Sequence, residues 1–215
     1  MQKLISFDLD QTLVNALEAH VVSFLDIFKK HGLRIPSIKR FKGLLDGRHS
    51  REIIHQLYPR LSKKKIDQIR KERRKILKKY KKYMKPIPGA KRTLQLVKKK
   101  YKIAIITNAH KDTAKIYMKK AGITPSFFDI IIGVDDVKKS KPNPEGIIKA
   151  EHLFHVKSDI HVGDSPYDII AAKKAKAISV AVLTGGASRT KLKKYKPDFI
   201  IKDVTHLPKL LKKLD

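Results

Sequence analysis

Cysteine is absent from this 215-residue chain, which excludes disulfides and thiolate metal sites. The simplest expectation is a cytoplasmic protein. Acidic residues are scarce: 20 Asp and Glu stand against 50 Lys and Arg, a formal charge of +30. Only five residues are Glu, so an ion-pair network rich in both signs does not account for the lysines. A field of this sign attracts phosphate-bearing ligands, and nucleic acid or acidic lipid without specificity. No apolar run approaches the roughly 20 residues that cross a bilayer, so no membrane span is expected. Met1-Gln2-Lys3-Leu4 passes into a strand-like run, and no secretory signal is expected before it. At this length the chain holds one good core and a smaller unit.

Apolar runs bounded by turn residues recur around 3–8, 102–107, 129–133, 159–163, 178–183 and 198–201, with helical patterns between them. That alternation predicts an α/β fold, a parallel sheet flanked by helices. Ile130-Ile131-Ile132 reads as a strand buried on both faces. Helices are expected from Asp112, Asn143-Pro144 and Ser165-Pro166, the last two with a capping residue before proline. Between Val14 and Pro88 strand runs disappear. Helices are expected over 16–30, 51–57 and 63–83, the last with Ile66, Ile69, Ile76, Tyr80 and Tyr83 on one face. The domain division that follows is a core of 1–14 plus 85–215 and an inserted helical unit of 15–84, hinged near Val14-Asn15 and Lys85–Gly89.

Four segments at predicted strand ends or adjoining loops carry the chemistry. Phe7-Asp8-Leu9-Asp10-Gln11-Thr12 sets two carboxylates at the first strand end. Ile106-Thr107-Asn108 adds a hydroxyl and an amide. Ser140-Lys141-Pro142-Asn143-Pro144 adds a cation on a loop stiffened by proline. Val162-Gly163-Asp164-Ser165-Pro166-Tyr167-Asp168 adds a second carboxylate cluster. A nucleophile, polar donors, one fixed cation and further carboxylates suit phosphoryl transfer, where catalysis is positioning and charge stabilisation.

At these residues the chain resembles the haloacid dehalogenase-like hydrolase superfamily, and within it the phosphoglycolate phosphatase-type branch with a helical cap. The resemblance runs from Phe7 to Pro197-Asp198-Phe199-Ile200-Ile201 and includes Pro88-Gly89 and Leu183-Thr184-Gly185-Gly186. It departs from the family pattern at Gln11, where glycine is usual, and at Asn15, where many members have aspartate. The resemblance implies a Rossmann-like core, a helical cap and Mg²⁺ held by the side chains of Asp8 and Asp164 and the backbone carbonyl of Asp10.

The residue chemistry agrees. Asp8 is the candidate nucleophile, able to form an aspartyl phosphate. Asp10 is the candidate acid and base. Thr107 and Asn108 are placed to hold phosphoryl oxygens. Lys141 offers a point charge to phosphate and nucleophile. Asp168 is expected behind the metal ligands, orienting Lys141, metal waters or loop amides. Within the inserted unit, His20, Arg48 and Arg51 are candidate substrate-binding groups, and His110 and Lys111 candidate entrance residues. The expected reaction is hydrolysis of a small phosphorylated metabolite, phosphoglycolate first, through phospho-Asp8. A sugar-phosphate mutase of the β-phosphoglucomutase type and a pyrophosphatase share this chemistry. A rival of another class is a nucleic-acid-binding protein using the run from Arg60 to Lys85, which holds fourteen basic and two acidic residues.

Overall fold

The structure, a computed structural model, describes residues 3–156 and 158–214. Met1, Gln2, Lys157 and Asp215 lie outside the described residues, as do the side chains of Ser158 and Asp159. The strands are β1 (Leu4–Phe7), β2 (Val14–Asn15), β3 (Lys85–Pro86), β4 (Lys102–Ile106), β5 (Ile130–Ile132), β6 (Ser158–Gly163), β7 (Ile178–Val182) and β8 (Phe199–Ile201). Six of them form one parallel sheet in the order β5-β4-β1-β6-β7-β8. Helices alternate with its strands, as the run lengths in the sequence predict. From β1 the chain moves outward to β4 and β5, then returns to β6 on the other side of β1. Strand order therefore reverses between β1 and β6, and the crevice beyond their C-terminal ends is where ligands bind in open α/β sheets.

Central strands β1 and β4 are buried on both faces, with Ile5, Phe7, Ile103 and Ile105 in the largest apolar cluster. The β5 reading needs correction. Ile130 and Ile131 are half-buried, because β5 is an edge strand with a neighbour on one side.

A helical insertion occupies the connection between β1 and β4: α1 (Leu17–Lys30), α2 (Ile38–Lys42), α3 (Ser50–Leu57) and α4 (Lys63–Leu77). It has its own core of Val21, Phe24, Ile27, Phe28, Phe41, Ile54, Ile66 and Ile69. The short antiparallel pair β2–β3, Val14 to Pro86 and Asn15 to Lys85, joins its entry and exit. The Asn15 carboxamide accepts from Leu17 N at 3.2 Å and so caps the way into α1.

Two insertion helices differ from expectation. The five-residue α2, capped by Ser37, is too short to show a period in the sequence. The helix expected over 63–83 ends at Leu77 and tightens into a 3₁₀ turn over Lys78–Tyr83. Residues three apart eclipse in such a turn. Tyr80 and Tyr83 thus lie together, ring centroids 6.2 Å apart, against the large core of the sheet rather than the core of the insertion. Packed there, they are not offered to stacked bases, which weakens the nucleic-acid reading.

Candidate active site

The β1 exit places Asp8 and Asp10, and the turn that follows explains Gln11. Its φ is +62°, the left-handed region where glycine is favoured. Gln11 keeps that turn by bonding Val14 O through its amide at 2.6 Å, and its side chain donates to Asp10 at 3.1 Å.

At the centre, Lys141 Nζ lies 2.6 Å from Asp8 Oδ1 and 2.6 Å from Asp168 Oδ1. All three groups are buried. Burial works against the Lys141 charge, but Asp168 and Asp8 outweigh it and hold the ammonium above its ordinary range. Burial likewise works to raise Asp168, yet Lys141 and His161 hold that carboxyl below its ordinary range. Asp8 goes the other way. Burial lifts it from 3.8 to about 7 against the pull of Lys141, with Asp168 and Asp10 adding to the rise. Burial, then Asp8, Asp168 and Asp10, hold Asp164 well above the usual carboxylate range.

Asp168 sits in the first turn of the helix Pro166–Lys174, which starts as its Ser-Pro signal predicts. Its Oδ2 accepts from Ser165 N at 3.0 Å and Ser165 Oγ at 2.5 Å, closing a capping box. Its Oδ1 accepts from Lys141 and approaches His161 Nε2 at 3.2 Å. The other His161 nitrogen is 2.8 Å from Ser6 Oγ. Both Asp168 oxygens are therefore used within the protein.

Asp8, Asp164 and Asp168 bring carboxylate oxygens within 4.8 Å of one another. With Asp168 already engaged, Asp8 and Asp164 remain as donors, and Lys141 alone does not neutralise them. Gly185 keeps the space beside Asp164 open: a Cβ there would come within 1.8 Å of Oδ2. Thr12 Oγ1 supports Asp164 from behind at 3.4 Å. A buried, oxygen-only pair of carboxyls whose ionised form lacks a full counter-charge fits a hard divalent cation.

A cavity of about 520 Å³ opens over this cluster, between the sheet and the insertion. Asp8, Asp10, Thr107, Asn108, Lys141, Asp164 and Asp168 line its core side, and His20 and Arg48 its insertion side. Thr107 Oγ1 accepts from Ala109 N at 3.2 Å, and Asn108 Nδ2 donates to Lys141 O at 3.0 Å. Asn108 Oδ1 is buried without a partner among the described residues. His20 hydrogen-bonds Asp10 Oδ2 through Nε2, which also lies 3.0 Å from the Tyr117 hydroxyl.

The arginine expectations fare differently. Arg48 lines the cavity, but its guanidinium is held by Asp46 at 2.8 and 2.7 Å. Arg51 does not line it. Its guanidinium is turned to Asp67 at 2.6 and 2.7 Å on the exposed side of the insertion. His110 lines the cavity, whereas Lys111 pairs with Asp136 at 2.7 Å and does not.

Sequence reasoning missed Ser6, His161, Tyr117 and Arg73. Ser6 and His161 carried a signal, each being a polar residue inside an apolar strand. Arg73 carried none, being one of fourteen basic residues in its run.

The comparisons with known proteins agree with this geometry. A protein provisionally named pyrophosphatase PpaX from Caldanaerobacter subterraneus is 32% identical over 214 residues, covering 97% of this chain and 94% of its own. Pyrophosphatase PpaX from Halalkalibacterium halodurans is 29% identical over 215 residues, covering 94% and 93%. The structure of a provisionally named phosphoglycolate phosphatase from Haemophilus somnus matches with TM-score 0.86 over 98% of both chains at 24% identity, a likeness of fold. The family model described as haloacid dehalogenase-like hydrolase matches residues 5–182, and this chain belongs to that family of hydrolases.

Proposed function

We propose that this phosphohydrolase is a Mg²⁺-dependent pyrophosphatase, with residues 15–84 as a cap that selects the substrate and 1–14 plus 85–215 as the catalytic core. The full-length likeness to proteins named pyrophosphatase PpaX carries the choice of substrate. It favours pyrophosphate over the phosphoglycolate expected from the sequence.

In this reading Asp8, Asp164 and the Asp10 carbonyl would hold Mg²⁺, which would supply positive charge to offset the repulsion between carboxylate and phosphoryl group. The Asp8 carboxylate attacks phosphorus, and the bond to the bridging oxygen breaks. Asp10 gives its proton to the departing phosphate. A water deprotonated by Asp10 then attacks phospho-Asp8 and regenerates the carboxylate. Lys141 keeps Asp8 aimed and shares its charge with the phosphoryl oxygens. The Thr107 hydroxyl, which accepts from Ala109 N, has its proton free to donate to one of them. Phosphate release measured across pyrophosphate, phosphoglycolate and glucose 1-phosphate tests the substrate. Pyrophosphate should give the highest kcat/KM. A clear preference for phosphoglycolate restores the first expectation, and phosphate transfer between sugar positions without release makes the chain a mutase.

Asp10→Asn tests the acid. In single turnovers, transfer to Asp8 should slow about 10²- to 10⁴-fold with alkyl phosphates, whose alkoxide needs a proton. The loss should be clearly smaller with p-nitrophenyl phosphate. Equal losses remove Asp10 from that role.

Metal binding should couple to pH through Asp8 and Asp164. Their folded-state pKa values are raised, so the stability they contribute is full below 3.8 and is lost as pH rises, for Asp8 through about 7. Asp168 and His161 have the opposite sign; the Asp168 window lies below that range, and His161, lowered from 6.5 by burial, is one group opposing two raised carboxyls. Without divalent cations, Tm should therefore fall from pH 5 to pH 7.5. Mg²⁺ should raise it much more at pH 7.5, where the carboxylates need a counter-charge. An equal Mg²⁺ effect at both pH values counts against cation binding at this pair.

A further inference from the structure

Four arginines of the insertion line the cavity, and three already have carboxylate partners. Arg48 holds Asp46, Arg70 donates to Asp67 at 2.9 Å, and Arg74 to Asp112 at 3.0 Å. Arg73 has no ion pair among the described residues. It projects from α4 and is 8% exposed. Its guanidinium carbon lies 3.6 Å from the centroid of the Phe24 ring. Nη2 donates to His20 Nδ1, and Nε is buried with no partner among the described residues. Burial lowers its pKa to about 10 against Tyr117 and Asp10, which leaves it charged at neutral pH.

A buried charge with no counter-charge is unfavourable, and an arriving anion relieves it. The position of Arg73 says where that anion would be. Because Arg73 donates to His20 Nδ1, the Nε2 proton of His20 points to Asp10 Oδ2. Arg73 is thus one imidazole ring away from the carboxyl that faces the leaving group. An oxyanion reaching it must belong to the leaving group or lie a few bonds from the transferred phosphorus. A guanidinium grips phosphate or carboxylate oxygens with directed hydrogen bonds, which an ammonium does with less geometric constraint.

We propose that Arg73 is the seat of a second oxyanion on the substrate, the phosphoryl or carboxylate group that is not transferred, and so selects short substrates with two anionic groups over monoesters whose leaving group is uncharged. The proposal rests on the phosphohydrolase reading above and takes over the role expected of Arg48 and Arg51.

The test compares wild type with Arg73→Met, which keeps the length that packs on Phe24, and with Arg73→Lys. Steady-state kinetics use pyrophosphate, phosphoglycolate and p-nitrophenyl phosphate. Calorimetry measures binding of methylenediphosphonate and of methylphosphonate with Mg²⁺. In Arg73→Met, kcat/KM for pyrophosphate should fall about 10- to 100-fold more than for the aryl ester, the range for a lost charged hydrogen bond. Methylenediphosphonate affinity should fall by a similar factor, and methylphosphonate affinity by much less. Arg73→Lys should recover part of both losses, and it carries the comparison if the methionine variant does not fold. A selective loss confined to phosphoglycolate would keep Arg73 as the seat while identifying the second group as a carboxylate. Equal losses on every substrate and both phosphonates would overturn the proposal, since Arg73 would then act through His20 on Asp10. If wild type hydrolyses the aryl ester but neither pyrophosphate nor phosphoglycolate, the pyrophosphatase reading falls by itself, and diphosphonate binding still decides the role of Arg73.

Discussion

Asp8→Asn should release phosphate from pyrophosphate at least about 10³-fold more slowly than wild type while folding as well or better. The two side chains have the same shape. The asparagine oxygen can still accept from Lys141, which keeps its 2.6 Å contact with Asp168. What disappears is a buried negative charge that the site tolerates poorly, since burial lifts the Asp8 carboxyl to about 7. At pH 7.5 without divalent cation, the variant should therefore melt no lower than wild type. That pairing of lost turnover with retained stability separates a missing nucleophile from a damaged fold. Acid quenching after mixing wild type with labelled pyrophosphate should trap protein-bound phosphate, and the variant should trap none. Undiminished release by a pure, folded variant would remove the nucleophile assignment and with it the covalent route.

The sheet was legible because its strands are short apolar runs cut by turn residues, and all six lie within a residue or two of the predicted runs. Burial was less legible. Ile130-Ile131-Ile132 reads as apolar on both faces, yet a sequence run does not say whether a neighbouring strand exists on each side. The helix 63–83 failed for a related reason. Its apolar face continues through Tyr80 and Tyr83 at suitable spacing, but those two belong to a different core, and the backbone tightens to deliver them there.

Within the site, the groups at a strand end, or on the loop or first helical turn that follows one, could be read from sequence because short motifs mark those positions. Asp8, Asp10, Thr107, Lys141, Asp164 and Asp168 all meet at one cavity. The insertion was harder. Arg48 and Arg51 attract notice because they flank a helix start, but Asp46 and Asp67 satisfy them. Arg73 stands among many basic residues, and what distinguishes it is the absence of a carboxylate partner among the described residues, a property of packing. His161 shows the intermediate case. Its polarity inside a buried strand marks it as unusual, while its link from Ser6 to Asp168 needs the register of β6 against β1.

Lys141→Met should remove both turnover and much of the stability. Lys141 is 4% exposed and is the ammonium that lies 2.6 Å from both Asp8 and Asp168. Removing one partner of a buried ionic group leaves uncompensated charge, which typically costs about 3–5 kcal/mol. Here the residual cluster is three carboxylates whose oxygens lie within 4.8 Å of one another. Without the ammonium their folded-state pKa values rise; the support that Lys141 gives charged Asp168 is already full at pH 5, so the loss should be clear there and grow as pH passes 7. Mg²⁺ should restore part of the stability by supplying positive charge beside Asp8 and Asp164. It should restore little turnover, because Asp8 would still lack the group that aims it. Lys141→Arg separates charge from geometry. A planar guanidinium restores the charge but not the compact ammonium between two carboxylates, so it should recover stability more than rate. Denaturant melts at pH 5 and pH 8, with and without Mg²⁺, provide the check. A loss under about 1 kcal/mol that ignores pH would mean the carboxylates relax apart or take up water, and Lys141 would then be needed for chemistry alone.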